Sequence, residues 1–244
     1  MISRYLQPDW PAPPGVRALM TLRDGGVSEA PYGSLNLGLH VGDQPERVRE
    51  NRERLIKAFD LPSPPQWLHQ VHGSRAIEAG ATDDSPEADA VWTRIPGRVC
   101  AVMTADCLPI LLCARDGSAV AAVHAGWKGL ANGVVASAIA ALGTASVLAW
   151  LGAAIGPGAF AVGGDVRETF LDQDRGFDTA FRPAAGGRYL ADIYALGRLS
   201  LVLSGVDAAA IHGGGWCTHG QSADFFSYRR DRETGRMAAL IWLE

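Results

Sequence analysis

Residues 104–129 read TADCLPILLCARDGSAVAAVHAGWKG. Two apolar β runs flank the break at Asp106-Cys107, and His124 closes the second run beside a glycine. A carboxylate, a thiol and an imidazole therefore sit among apolar neighbours. Burying a carboxylate alone costs several kcal/mol, so Asp106 must find partners. A break in an otherwise continuous strand is a local rule violation of the kind that marks functional sites. Three readings of the residues stay open: satisfied core polar groups, a Cys-His nucleophile, or ligands for a metal.

Working outward, the strand signals come in groups. RVCAVMT and CLPILLC are followed by AVAAVHA; ADAVWT precedes them, and ASVLAWL, AAIHGGGWC and MAALIWLE follow. QWLHQVHGSRAIEA reads as strand, turn, strand around Gly73. Helical spacing runs through PERVRENRERLIKAFD, with Pro45 in the first turn and Asp43 as cap. KGLANGVVASAIAALG reads as one helix ended by Gly143, and GGDVRETFLDQ and YLADIYALGRLSLVLSGV read as two more. Grouped strands favour an α+β fold, with packed mixed β-sheets flanked by helices, over a doubly wound one. No repeat or linker divides the chain, so residues 1–244 are expected to form a single domain.

Composition narrows the function. Apolar residues are 48% and charged residues 20% of 244, which describes a globular chain. The formal charge of -4, without charge blocks, gives no footprint for nucleic acid or an anionic membrane. MISRYLQPDWPAPPG is broken by prolines and lacks an apolar run, so a cytoplasmic protein is expected. Four cysteines in a chain of this length do not suggest a disulfide scaffold.

His72, in QVHG, joins Cys107 and His124 as a third candidate ligand. Their spacing is not a compact motif. Two imidazoles and one thiolate nevertheless suit Zn²⁺ and leave its fourth position open, the pattern of catalytic zinc. Copper accepts the same ligands. His69 and His72 would face opposite sides of a strand, so they share a metal only if the turn begins between them. In DFFSYRRDRETGRMA, aromatics beside Arg229 and Arg230 suit base stacking and anion binding. Arg232 and Arg236 read as parts of a solvated turn. HGGGWCTHGQ lacks the P-loop pattern.

Together NLGLHVGD, QVHG, ADAVWT, TADCLPILL, VHAGWKG, AIGP and FFSYRRDRETGRMA resemble the YfiH-like, or laccase-domain, family over nearly the whole chain. The resemblance implies an α+β fold and a metal centre of His72, Cys107 and His124. It implies phosphorolysis of adenosine, inosine, guanosine and methylthioadenosine, deamination of adenosine, and a role in peptidoglycan precursor editing. Some family members are described as copper polyphenol oxidases. The expected partners are small molecules, a purine nucleoside and phosphate. Asp106 is the candidate proton shuttle; Asn36, Gln70, Lys128 and Arg229 are candidate substrate- or phosphate-binding residues. An alternative on the same residues is a Cys-His hydrolase of a cell-wall precursor, with Cys107 as nucleophile, His124 as base and Asp106 orienting it. A multicopper oxidase ranks last, because six histidines in all are too few for a copper cluster. Two departures stand out. Gly158 and Ala159 follow AIGP where many members carry a cysteine, and His69 is an extra histidine.

Overall fold

The computed structural model describes residues 2–80 and 85–244. Strands β1 (Tyr5–Leu6) and β2 (Val16–Thr21) precede helix α1 (Pro45–Ala58). Next come β3 (Ala76–Glu78), β4 (Ala90–Thr93), β5 (Val99–Thr104), β6 (Leu108–Ala114) and β7 (Val120–Ala125). Helices α2 (Trp127–Ala131) and α3 (Val134–Leu142) lead to β8 (Val147–Leu151), β9 (Ala161–Val162) and α4 (Gly164–Leu171). The chain closes with β10 (Phe181–Pro183), β11 (Tyr189–Ala191), α5 (Ile193–Leu203), β12 (Ile211–Gly213), α6 (Tyr228–Asp231) and β13 (Met237–Leu243).

The strands form an antiparallel sheet β1-β2-β13-β5, a mixed sheet β12-β8-β6-β7-β4-β3 and a small sheet β10-β11-β9. The mixed α and β architecture agrees with the sequence reading. β5 and β13 pack over β6 and β7, so the two larger sheets share a core. Strands β5, β6, β7 and β13 are buried along their whole length. That explains why they read as continuous apolar runs rather than alternating ones: both faces of each strand are covered.

The TADC break has a topological cause. β5 belongs to the antiparallel sheet and β6 to the mixed sheet, so the chain changes sheets at Ala105-Asp106-Cys107. Asp106 makes the corner with φ +106°, a conformation a non-glycine residue rarely adopts.

Four local expectations need correction. The helix read from Tyr189 begins only at Ile193, because Tyr189–Ala191 is strand β11 and Asp192 caps α5 by accepting from Tyr194 N–H and Ala195 N–H. The first half of QWLHQVHG is not a strand; Gln66 and His69 make only isolated bridges. In place of a ladder, the Gln70 side chain brackets Met103, accepting from its N–H at 2.7 Å and donating to its carbonyl at 2.8 Å. The expected single helix after Lys128 is two, α2 and α3, because Gly133 takes φ +81° between them. At the start of α1 the cap is Gln44, and Asp43 lies one residue further out, where its carboxylate accepts from Gln44 N–H at 2.8 Å.

Candidate metal centre and active site

Three segments deliver the three donors. His72 sits on a left-handed turn at φ +61°. Cys107 follows the Asp106 corner. His124 is the penultimate residue of β7, opposite Pro109 of β6. One ligand atom from each lies within 4.8 Å of the others. Cys107 Sγ is 3.7 Å from His72 Nε2, and the two imidazoles meet edge to face with centroids 4.7 Å apart. Gly126 makes this approach possible. A Cβ there would stand 2.9 Å from Cys107 Sγ and 2.9 Å from His72 Cδ2. His69 is not in the group.

Asp89 organises the centre. It is fully buried, immediately before β4. Oδ1 accepts from His124 Nδ1 at 2.8 Å and from His72 N–H at 2.9 Å. Oδ2 accepts from Gly73 N–H at 2.7 Å and Val71 N–H at 3.2 Å. A carboxylate only accepts, so His124 carries its proton on Nδ1 and keeps Nε2 for a metal or the thiol. One side chain thus fixes the tautomer of one ligand and the backbone turn bearing another. Burial works against its charge, yet the bonds from His124, Gly73 and His72 hold its pKa below the usual range.

Burial also opposes charge on the thiol and the imidazole. The imidazoles of His124 and His72 override it and bring the Cys107 thiol down to about 6. For His124, Cys107 and Asp89 do the same in the opposite direction and push it up to about 9. A low-pKa thiolate beside two imidazoles is a metal-ready donor set, because only the thiolate binds metal. Among the described residues this is the one group of three or more His, Cys, Asp or Glu side chains able to hold an ion.

Two cavities meet at the centre and share His72, Ala105, Cys107 and Tyr228. The first, of about 230 Å³, is walled by Trp127, Ile155, Phe160 and Ile193, with Lys128 and Arg229 beside them. The second, of about 450 Å³, holds His40, Gln70, Met103, Thr104, His124 and Arg236. A larger hollow of about 530 Å³ around Pro62–Val99 lies away from these ligands and contains Arg98 as its one charged residue among those described.

The remaining expected residues divide. Asp106 lines the first cavity, with Oδ1 accepting from Thr218 Oγ1 and Oδ2 from Arg229 N–H, each at 2.6 Å. It therefore anchors the CTHG and SYRR segments over the site. It does not orient His124; Asp89 does. Asn36 is fully buried and not open to a ligand. Its amide bonds Gly38 and Asp43 and accepts from Arg236 N–H at 2.9 Å. Lys128 is exposed over the Trp127 ring. Arg229 donates to Ala161 O at 2.9 Å and covers the Phe160 ring. Arg230 is committed to Thr218 O, His219 O, Phe225 O and Asp231, so it holds the tail rather than a ligand. Arg236 is not in a solvated turn but half-buried in the second cavity.

The fold and donor set define an α+β protein with two histidines and one cysteine so placed, at the junction of two sheets, that they could hold a metal ion. The profile described as "Multi-copper polyphenol oxidoreductase laccase" matches residues 17–244, and the chain belongs to this laccase-domain, YfiH-like family. It is 51% identical over its full length to "Purine nucleoside phosphorylase PA4543" of Pseudomonas aeruginosa, covering all of that protein. It is 52% identical to "Purine nucleoside phosphorylase YfiH" of Escherichia coli K12, over 99% of this chain and 100% of that one. Among solved structures, Neisseria meningitidis NMB0706 superposes with a TM-score of 0.94 at 48% identity, covering 99% of this chain and 100% of that chain. YlmD of Geobacillus stearothermophilus superposes at 0.89 with 31% identity, over 100% and 97%.

Proposed function

We propose that the chain is a zinc-dependent purine nucleoside phosphorylase. Its substrates are adenosine, inosine, guanosine and methylthioadenosine; it also deaminates adenosine, and it works in the cytoplasm as one catalytic domain over residues 1–244. The carrying observation is the convergence of His72, Cys107 and His124 where an aromatic cavity meets a polar one. The printed names of the relatives support the phosphorylase reading, and no helix among the described residues is long and apolar enough to cross a membrane.

A zinc ion held by these three side chains supplies Lewis acidity and an open coordination position. The protein supplies the rest. Trp127, Phe160 and Tyr228 offer ring faces for a purine, and Ile155 and Ile193 exclude water around it. In phosphorolysis a phosphate oxygen bonds to C1′ as the C1′–N9 bond breaks; the electron pair leaves with the purine, which takes a proton. In deamination a water oxygen adds to C6 and ammonia leaves. Asp106 lines this cavity and is the proposed proton-moving group, since a carboxylate oxygen can accept more than one hydrogen bond. Lys128 and Arg229 place positive charge beside the ring walls. Editing of peptidoglycan precursors is the proposed cellular role.

Three observations weigh on the alternatives. Aligned Asp89, His124 and Cys107 also form a nucleophile triad, which favours a Cys-His hydrolase as the second reading. His72 on the same sulfur has no role in a triad and favours the metal. A multicopper oxidase needs further clusters, and the described residues contain no second group. The test is hypoxanthine release from inosine, with phosphate present, by wild type, by Cys107→Ala and by chelator-treated protein. The phosphorylase reading requires turnover lost in both and restored to the chelated protein by zinc. Inosine turnover that survives chelation rejects the zinc-dependent reading, and cleavage of a cell-wall precursor that resists chelation but not alkylation of Cys107 selects the hydrolase instead.

A further inference from the structure

Building on the phosphorylase reading, we propose that inorganic phosphate binds in the second cavity, between Arg236, His40 and Thr104, rather than beside Lys128 and Arg229. Three observations converge there. First, Arg236 is half-buried against the metal ligands and forms no ion pair among the described residues. Its hydrogen bonds run from Nη1 to Thr234 O and Gly235 O, both at 3.0 Å. The acidic groups that act on it are Cys107, Asp106 and Tyr228, none within an ion pair's reach, and its guanidinium lies over the Tyr228 ring at 6.0 Å. A guanidinium placed in this way has donors to spare for an oxyanion.

Second, His40 lines the same cavity as Arg236, and the charged groups that act on it, Arg236, His69, Arg52 and His124, are basic. Gly38 separates the His40 ring from Arg236. A Cβ at Gly38 would lie 2.9 Å from Arg236 Cγ and 3.4 Å from His40 Cε1. The His40 ring and the aliphatic stem of Arg236 therefore flank Gly38, and the absence of a side chain there lets both line the same cavity. The loop carrying them is tied down by Asn36, whose oxygen accepts from Arg236 N–H, and by Asn51, which bonds Asn36 O at 2.9 Å. Third, Thr104 is 1% exposed, lines this cavity, and its Oγ1 has no hydrogen-bond partner. A buried hydroxyl without a partner is costly and points to a ligand that completes it.

This placement gives the two lobes separate tasks. The aromatic lobe takes the base, the basic lobe takes phosphate, and the reacting atoms meet at the residues common to both. Lys128 and Arg229 then shape the nucleoside side.

The experiment is calorimetric titration of the as-purified protein with inorganic phosphate, paired with the phosphate dependence of inosine cleavage. Arg236→Met should weaken phosphate about 10- to 100-fold, from the worth of a hydrogen bond to a charged group. Thr104→Val should weaken it about fivefold without lowering the melting temperature, since its hydroxyl bonds nothing in the protein. Gly38→Ala keeps every charge and should weaken phosphate by displacing Arg236, which preserves the test if Arg236→Met misfolds. Inosine binding, measured by equilibrium dialysis without phosphate, should stay within about twofold in Thr104→Val and Gly38→Ala, small beside the loss expected for phosphate. Unchanged phosphate binding in Arg236→Met and Gly38→Ala overturns the proposal, as does loss in Lys128→Ala alone. Tighter, Arg236-dependent binding of adenosine 5′-monophosphate than of free phosphate would assign the site to a nucleotide and overturn it too. Cleavage with an unaltered phosphate KM in Arg236→Met refutes this inference but not the phosphorylase. Arg236-dependent phosphate binding without any cleavage refutes the phosphorylase but not the subsite.

Discussion

Replacing Asp89 by asparagine changes one atom and should disable the centre from behind. Each carboxylate oxygen receives two of four donors: Oδ1 takes His124 Nδ1 and His72 N–H, and Oδ2 takes Gly73 N–H and Val71 N–H. Whichever oxygen becomes NH₂, two donors face a donor. At roughly 1.5–3 kcal/mol per hydrogen bond to a charged group, the loss of two costs about 3–6 kcal/mol of stability. The bond to His124 also sets its tautomer. Amide for carboxylate at that position weakens the basicity and orientation of the ligand, and such partners are worth about 10- to 100-fold in metal affinity. The assay is denaturant unfolding of the metal-free chain, followed by competition for zinc against a chromophoric chelator. Asp89→Asn should lower the unfolding midpoint and weaken zinc by the stated factor. Wild-type values in both measurements would refute the idea that Asp89 holds the two histidines in place.

Other outcomes follow from the same geometry. In metal-free protein, alkylation of Cys107 should rise with pH through a midpoint near 6, while Cys100 and Cys113 stay inert, because burial pushes both of those thiols up, Cys113 to about 12; mass spectrometry of the modified peptides checks this. In that form the two linked contributions offset: the Cys107 contribution grows as pH rises from about 6 towards its ordinary value, while the His124 contribution fades as pH rises towards about 9, so the melting temperature should change little across that window. A melting temperature that falls steeply towards either end of the window contradicts this pair of shifts. Asp106→Asn should loosen the Thr218 and Arg229 segments, seen as faster hydrogen exchange there, because both donors exchange a charged acceptor for a neutral amide. Phe226→Ala, at a fully buried ring, should cost about 3–5 kcal/mol in urea unfolding.

The three candidate ligands were legible because each breaks a pattern. Cys107 follows a carboxylate that interrupts an apolar run, His124 stands where a strand meets glycine, and His72 precedes a glycine in a turn. Gly126 gives the HAGW glycine its physical reason. Asp89 was not legible. In EADAVWT it looks like an acid flanking a strand, and its role needs the register of β4 on β7, where Ala90 faces Val123. Arg236 was misread for a similar reason. RETGRM has the composition of a solvated turn, and what draws Arg236 inward is a bond to Asn36, separated by 200 positions. Asn36 shares that bond, so its polarity serves the loop and not a ligand. The helix break at Gly133 was hidden because glycine inside an alanine-rich segment is tolerated often enough to pass unnoticed.

X-ray absorption at the metal edge of protein purified without added metal probes the centre most directly. The account predicts one ion per chain with a sulfur scatterer at ~2.3 Å and two imidazole nitrogens at ~2.0–2.1 Å, the sulfur signal vanishing in Cys107→Ala. A bound ion with no sulfur neighbour, or a spectrum indifferent to Cys107, would contradict it.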